Sequence, residues 1–430
     1  MTNTPLSHSA SQPQPALARK LGTRDAVVIG LGSMIGAGVF SVWAPAATAA
    51  GSGLLIGLAI AAVIAYLNAI ASAQLAAAYP TSGGTYIYGR ERLGQWWGFT
   101  AGWGFVIGKT ASCTAMALTF AAYAVPSSQW GQRLIAVGAV LTLAAFNYRG
   151  ITRTVGLTRI FVALTLIALA AVVITILIPG ETDRTNLNSW FSTGNHGIYG
   201  LLQSAGLLFF AFAGYARIAT MGEEVRDPGR TIPRAIPIAF FITLGVYLAV
   251  GTSALLSAGP EALAESTAPL VTAVESAGVG GIEPVVRAGA ITASLGALLA
   301  LIAGIGRTSL AMARYGDLPG WLAAVHPTYR VPHHAEITLA LVVCALVLTV
   351  DLRGAIGFSS FGVLVYYAIA NASAYTQTGQ ARRWPRWCNL VGLAGCTLLV
   401  VTLPWQSVVA GFAMFAVGIG GRALLRRRGA

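Results

Sequence analysis

Between residues 25 and 421 the chain is built almost wholly of apolar segments, each about as long as a helix needs to cross a bilayer. Such segments leave few ways to fold. No water reaches the hydrocarbon core, so every backbone amide and carbonyl there must find its partner inside the protein. Twelve segments can be placed, near 25–50, 54–77, 96–124, 132–148, 157–178, 198–221, 236–257, 286–310, 336–350, 355–376, 388–403 and 405–421. Only 10% of the residues are charged, against about 25% in soluble domains. The sequence therefore predicts an all-α polytopic membrane protein with twelve transmembrane helices.

The formal charge of +13 does not point to nucleic acid, because its distribution follows the segments. With the N-terminus inside, the cytoplasmic stretches hold 20 of the 27 basic residues, including Arg19, Lys20, Arg90, Arg92, Arg153, Arg226, Arg383 and Arg426 to Arg428. The opposite face holds Arg133, Arg184, Arg287 and Arg353. This asymmetry predicts two cytoplasmic termini in the cell membrane, with anionic lipid as the partner of the basic face. Residues 1–24 read as a polar cytoplasmic tail with no signal-peptide pattern, and 422–430 as a basic one. The four cysteines fall in or beside apolar segments, so no structural disulfide is expected. Trp130, Trp190 and Trp405 fall near predicted interfaces, as aromatic anchors do.

Two five-span halves can be traced, 25–178 and 198–376, with helices eleven and twelve (388–421) outside them. An odd number of spans per half inverts the second half relative to the first. The first span of each half is interrupted, by the glycines of Gly30–Gly38 and by Phe209–Gly214. Paired interruptions in inverted halves are the best sequence pointer to a secondary-transporter binding site. The reading is thus a 5+5 inverted-repeat core with discontinuous helices one and six, plus two peripheral helices. Residues 79–94 are too aromatic for a plain linker and predict a short interfacial helix. Residues 259–286 read as the longest external loop, with Glu261, Glu265, Glu275 and Glu283 on a solvated helix face.

Four segments carry a family likeness: SMIGAGVF at 33–40, YPTSGGTYIYGRERLG at 79–94, FFAFAGYARIATMGEEVRDPGRTIPRAI at 209–236 and GRTSLAMARYGDLPGWLAAVHP at 306–327. In this order and at these topological positions the chain resembles the amino acid–polyamine–organocation permeases, in particular their bacterial cationic-amino-acid-transporter-like branch. The resemblance spans nearly all of 25–421 and implies amino acid transport by alternating access. Three departures touch coupling more than fold. The family usually has Glu where this chain has Gln74, and often has Asp where it has Tyr315. Some proton-coupled relatives carry a lysine on the fifth helix, and Thr165 is the matching position here.

An α-amino acid is a zwitterion, which needs donors for its carboxylate and acceptors for its ammonium. Backbone freed at Ile35, Gly36, Ala37 and Gly38 supplies donors at the positive end of a half-helix. Carbonyls around Phe210, Ala211, Phe212 and Gly214 supply acceptors. The resemblance implies the same division of roles. A dinucleotide loop fits GLGSMIG poorly, since no strand–helix unit or distal acid accompanies it. Close helix packing of the small-xxx-small kind accounts for Gly32 and Gly36 but not for the dense run.

Lys109 lies near the middle of the third span, where an ionisable group costs at least ~2.5 kcal/mol and is a functional candidate by default. It either exchanges a proton during transport or bonds a carbonyl as a structural residue. Arg217 either faces the inner vestibule or pairs with acids at the interface. Glu223 and Glu224 either close an inner gate with Arg90 or Arg92, or lie on a solvated loop. Thr292 and Ser294 offer oxygens to a sodium ion. All five histidines lie in tails or loops and no metal-ligand cluster occurs, so neither a metal nor a cofactor is expected.

The expected function is a secondary active transporter, moving amino acids inward with protons, Lys109 and Thr165 being the coupling positions. The missing intramembrane acid favours a neutral substrate over a cationic one. An exchanger or a sodium symporter of the same fold is the alternative. A membrane enzyme lacks its nucleophile–base or metal constellation, and a non-transporting sensor or scaffold has no need of intact breaks.

Overall fold

The computed structural model describes residues 21–81, 83–125, 128–149, 155–187 and 197–428, the side chains of 155–157, 380 and 425–428 excepted. Arg19, Lys20, Arg153, Trp190, His8 and His196 lie outside the described residues, as do the side chains of Arg426 to Arg428.

The helices follow the apolar pattern. The first expected span divides into α1 (Thr23–Met34) and α2 (Trp43–Ala50), separated by a helical turn at Gly38–Ser41. Then come α3 (Leu54–Ala78), the short α4 (Thr85–Leu93), α5 (Gln95–Ala124), α6 (Gln129–Tyr148) and α7 (Val155–Leu177). The second half holds α8 (Gly197–Phe212), α9 (Pro228–Glu265), α10 (Pro269–Ser276), α11 (Glu283–Arg314), α12 (His333–Thr349) and α13 (Leu352–Tyr375). The chain closes with α14 (Arg386–Thr402) and α15 (Trp405–Arg428). Among the described residues nine helical segments are long and apolar enough to cross a membrane. The other three expected spans are the helices α6, α12 and α14, of 20, 17 and 17 residues.

α5 is a central element, packed against α11 and α13. Its contact with α13 is nearly backbone on backbone. A Cβ added at Gly362 would lie 2.7 Å from the Gly104 carbonyl oxygen, and one at Gly108 would lie 3.2 Å from the Gly362 Cα. Small residues at such crossings let helices close without a hydrophobic driving force between them. α1 packs on α7 and α9, and α3 on α8 and α9. α14 and α15 lean on this core, with Trp387, Leu398, Val409, Phe412 and Val417 exposed on their outer faces. Side chains of that kind suit lipid.

The segment 259–286 is not the loop the sequence predicts. α9 breaks at Gly259 (φ 74°, ψ 169°), close to the expected end of that span, a short helical stretch runs on to Glu265, α10 follows, and Leu263, Leu270, Val271, Ala273 and Val274 are buried. Their helical spacing, with Pro269 at the first turn of α10, folds the segment into a packed cap. Glu261, Glu265 and Glu275 do stay on its exposed side. α4 also differs from expectation. Tyr86 and Tyr88 are fully buried, so it is an inserted element more than an interfacial one. His333 and His334 open α12 rather than sit in a loop. Trp130 and Trp405 are exposed, as anchors should be, and all four cysteines are unbridged.

Candidate functional site

α1 stops at Met34 because Ile35 (φ −84°, ψ 60°) leaves the helical conformation. The amides of Gly36 and Ala37 have no backbone acceptor among the described residues. Here the glycines serve close approach. A Cβ at Gly38 would sit 2.8 Å from the Ala211 Cα, and one at Gly36 would sit 2.9 Å from the Ala297 Cβ. A Cβ at Gly214 would overlap the Ser33 carbonyl. The two interrupted segments therefore cross backbone to backbone.

The second interruption is milder than the expected break over Phe209–Gly214. α8 stays α-helical through Phe212, tightens into a 3₁₀ turn at Ala213–Tyr215, and resumes at Ala216–Ala219. Its carbonyls are partly engaged. The Tyr247 hydroxyl lies 2.9 Å from the Ala211 oxygen and 2.6 Å from the Met34 oxygen. The Ala213 oxygen accepts from the Tyr367 hydroxyl at 3.2 Å and from Lys109 Nζ at 3.5 Å.

A cleft of about 150 Å³ opens beside this crossing. Lys109, Ser33, Phe210 and Gly214 line its inner part, and Arg217, Thr220 and Arg307 its mouth. Lys109 is 8% exposed. One turn along, Ser112 shares a 2.6 Å hydrogen bond with Ser359 of α13, which fixes that wall. At the mouth the Glu224 carboxylate lies 3.5 Å from Arg217 and 3.8 Å from Arg307. Arg217 thus both faces the cleft and pairs with an acid. Of the expected substrate residues, Phe210 and Gly214 line the cleft. Ile35, Gly36, Ala37, Gly38, Ala211 and Phe212 are buried in the crossing next to it.

The far end is sealed by Tyr123. Its hydroxyl donates to the Phe40 carbonyl at 2.8 Å and accepts from the Leu270 amide at 3.2 Å, tying the start of α10 to the interrupted first helix.

The expected pairing of Arg90 with Glu223 or Glu224 is not formed. Arg90 lies 3.2 Å from Asp317, which also accepts from Tyr86 at 2.8 Å and pairs with Arg422 of α15. Asp317 is buried there, at the centre of three chain-distant segments. Burial and this carboxylate push the Tyr86 phenol well above its usual range, so it stays a donor. Arg92 bonds Thr376 instead. Sequence reasoning missed this cluster. The one available sign was Asp317 itself, the lone acid of GRTSLAMARYGDLPGWLAAVHP.

Thr165 does not reach the cleft lining, since its hydroxyl turns back to the Phe161 carbonyl at 2.8 Å. Thr292 likewise bonds its own helix at Ala288, at 2.7 Å. Ser294 is fully buried, and its hydroxyl meets no protein partner among the described residues. Among those residues no group of three or more His, Cys, Asp or Glu is placed to hold a metal ion.

The amino acid permease profile matches residues 25–416. An uncharacterized transporter of Mycobacterium tuberculosis is 58% identical over 415 residues, covering 96% of this chain and 93% of that protein. The branched-chain amino acid permease BcaP of Bacillus subtilis is 24% identical over 443 residues, 96% of this chain and 94% of that permease. Cationic amino acid transporter 7 of Arabidopsis thaliana, a chloroplastic protein, is 29% identical over 428 residues, 92% of this chain and 72% of the transporter.

Proposed function

We propose, from the premise that this chain belongs to the amino acid permease family, that it carries amino acids across the cytoplasmic membrane by alternating access, coupled to protons. It is a transporter and not an enzyme. Residues 25–178 and 198–376 act as the two inverted five-helix repeats, and the positive-inside asymmetry puts both termini in the cytoplasm. The observation that carries this reading is the cleft holding Lys109 beside the crossing of the two interrupted helices. The unengaged amides of Gly36 and Ala37 receive the α-carboxylate, helped by the positive end of the following turn. Carbonyls at Met34 and over Phe210–Phe212 receive the ammonium. Lys109 is the group that gains and loses the coupled proton. Glu224, with Arg217 and Arg307, forms the charged mouth that rearranges as the cytoplasmic side closes.

A sodium-coupled reading rests on one observation, the buried unpartnered hydroxyl of Ser294. The ammonium of Lys109 opposes a cation bound in the same core. The decisive experiment is uptake of the twenty amino acids by proteoliposomes, with pH and sodium gradients imposed separately. Thermal stabilisation of the purified protein serves as the binding readout, since a ligand at a hundred times its Kd adds about 2.7 kcal/mol. Uptake driven by an inward proton gradient and indifferent to sodium is expected. No stabilisation and no uptake with any of the twenty refutes the function.

A further inference from the structure

Among the described residues, the cations at the mouth of the cleft have carboxylate partners and Lys109, deeper in, has none. Lys109, Arg217 and Arg307 line it, and no carboxylate does. Glu224 stands beside the mouth, shared between Arg217 and Arg307, and the buried Glu336 acts on Arg307 as well. Lys109 lies deeper and has only the Ala213 carbonyl, at a long 3.5 Å, in common with Tyr367. Beside Lys109 stand Cys113 on its own helix and Tyr367 of α13, which shares the Ala213 carbonyl, with the Tyr215 ring 4.9 Å from that of Tyr367. None of these is a carboxylic acid. An ammonium taken out of water is stabilised only by a counter-charge or by many hydrogen bonds. A neutral side chain in this cleft leaves Lys109 as it is, and a cationic one meets repulsion from Lys109.

We infer that the transported substrate is an acidic amino acid, whose side-chain carboxylate docks on Lys109. The inference rests on the amino acid transport reading above and narrows it, replacing the neutral substrate expected from sequence. Ala213, whose oxygen Lys109 contacts, directly precedes Gly214 at the crossing. A zwitterion held by the crossing therefore presents its side chain toward α5. Lys109 exchanges its proton with solvent through the cleft, and the arriving carboxylate holds that proton on Nζ as an ammonium. The pair then moves as one unit, and release to the cytoplasm returns the proton. Substrate and proton are coupled because each stabilises the other at the same nitrogen.

The test uses the purified full-length protein and six ligands: L-glutamate, L-aspartate, L-glutamine, L-alanine, L-leucine and L-arginine. Thermal stabilisation gives relative affinities, and a pH-indicator dye in weak buffer counts protons taken up per ligand bound. Glutamate should bind roughly 30-fold more tightly than glutamine, the cost of stripping one partner from a buried charge pair. That preference should fall to near unity in Lys109→Gln, and proton uptake with glutamate should vanish there. Tighter binding of alanine, leucine or arginine than of either acid overturns the inference and leaves amino acid transport standing. Binding of none of the six, together with none of the other fourteen amino acids, overturns the reading beneath it. If Lys109→Gln does not fold, the wild-type panel still decides. Glutamate binding without proton uptake overturns the role given to Lys109.

Discussion

Replacing Asp317 by asparagine removes one charge and almost no volume, yet it should be among the most destabilising single changes in the protein. The carboxylate is 1% exposed and its two oxygens serve three donors: Arg90 at 3.2 Å and Tyr86 at 2.8 Å on one, Arg422 on the other. Arg422 is itself 3% exposed, with its guanidinium 4.5 Å from the Trp96 ring centre and 4.7 Å from that of Phe99. Arg90 is 17% exposed and retains access to water. Removing the acid leaves the buried Arg422 with the Gln95 carbonyl, at 3.0 Å, and two rings in place of a counter-charge, and leaves Arg90 partly hydrated. Breaking a buried pair in this way costs about 3–5 kcal/mol. Contacts of Arg422 with the two rings hold back part of that loss, up to ~2 kcal/mol for a desolvated site. The expected loss is therefore about 3 kcal/mol. It is read from tryptophan fluorescence during unfolding by sodium dodecyl sulfate in mixed micelles. Arg422→Met alone should cost less, because Asp317 keeps Arg90 and Tyr86. Asp317→Leu combined with Arg422→Met should recover most of the stability, since apolar replacement of a buried pair is often neutral. If Asp317→Asn unfolds within ~1 kcal/mol of the parent, or the double variant is the worst of the three, the cluster does not hold these segments together.

Gly38→Val should abolish uptake while the protein still inserts, because its Cβ would start 2.8 Å from the Ala211 Cα and overpacking costs about 1–3 kcal/mol; normal uptake removes the crossing from the site. Lys109→Ala should flatten the pH dependence of uptake, and Lys109→Arg should not restore it, since arginine stays charged; an unchanged pH profile in Lys109→Ala makes Lys109 a structural residue. Tyr123→Phe deletes the hydrogen bonds to Phe40 and Leu270, worth about 2 kcal/mol together, and should shift the resting protein roughly 30-fold toward the state open on the α10 side. Maleimide labelling of a cysteine placed at Met116, in a background lacking the four native cysteines, measures that shift; labelling from that side unchanged by Tyr123→Phe refutes the seal.

Much of this architecture was legible because it rests on short-range pattern. Apolar runs mark the helices, the glycines before Phe40 mark the first interruption, and a lone lysine at mid-span marks itself by its cost. The second interruption was placed well but misjudged in kind. FFAFAG contains good helix formers beside its single glycine, so the chain tightens instead of unwinding. The 259–286 segment reads as a loop in sequence because its buried face is short and proline-punctuated, a pattern that periodicity resolves poorly. Thr165 was chosen by position, and position does not say that a hydroxyl will turn back on its own helix. The Asp317 cluster was invisible for a deeper reason. Its partners lie 227, 231 and 105 residues away, and charge pairing at such separations leaves no local trace.

Tyr247 adds a constraint of a different order. A phenol has one hydrogen, and two carbonyl oxygens, one from each interrupted helix, stand within bonding distance of it. The hydrogen is given to one oxygen or shared between the two, so strengthening the bond to Met34 weakens the one to Ala211, and the reverse. The two carbonyls thus compete for one donor, at a cost of up to about 1 kcal/mol to the one less well served. On the binding mode proposed above, a ligand ammonium would donate to the acceptor left short. On the same reading, the crossing would be easier to rearrange without a ligand and stiffer with one.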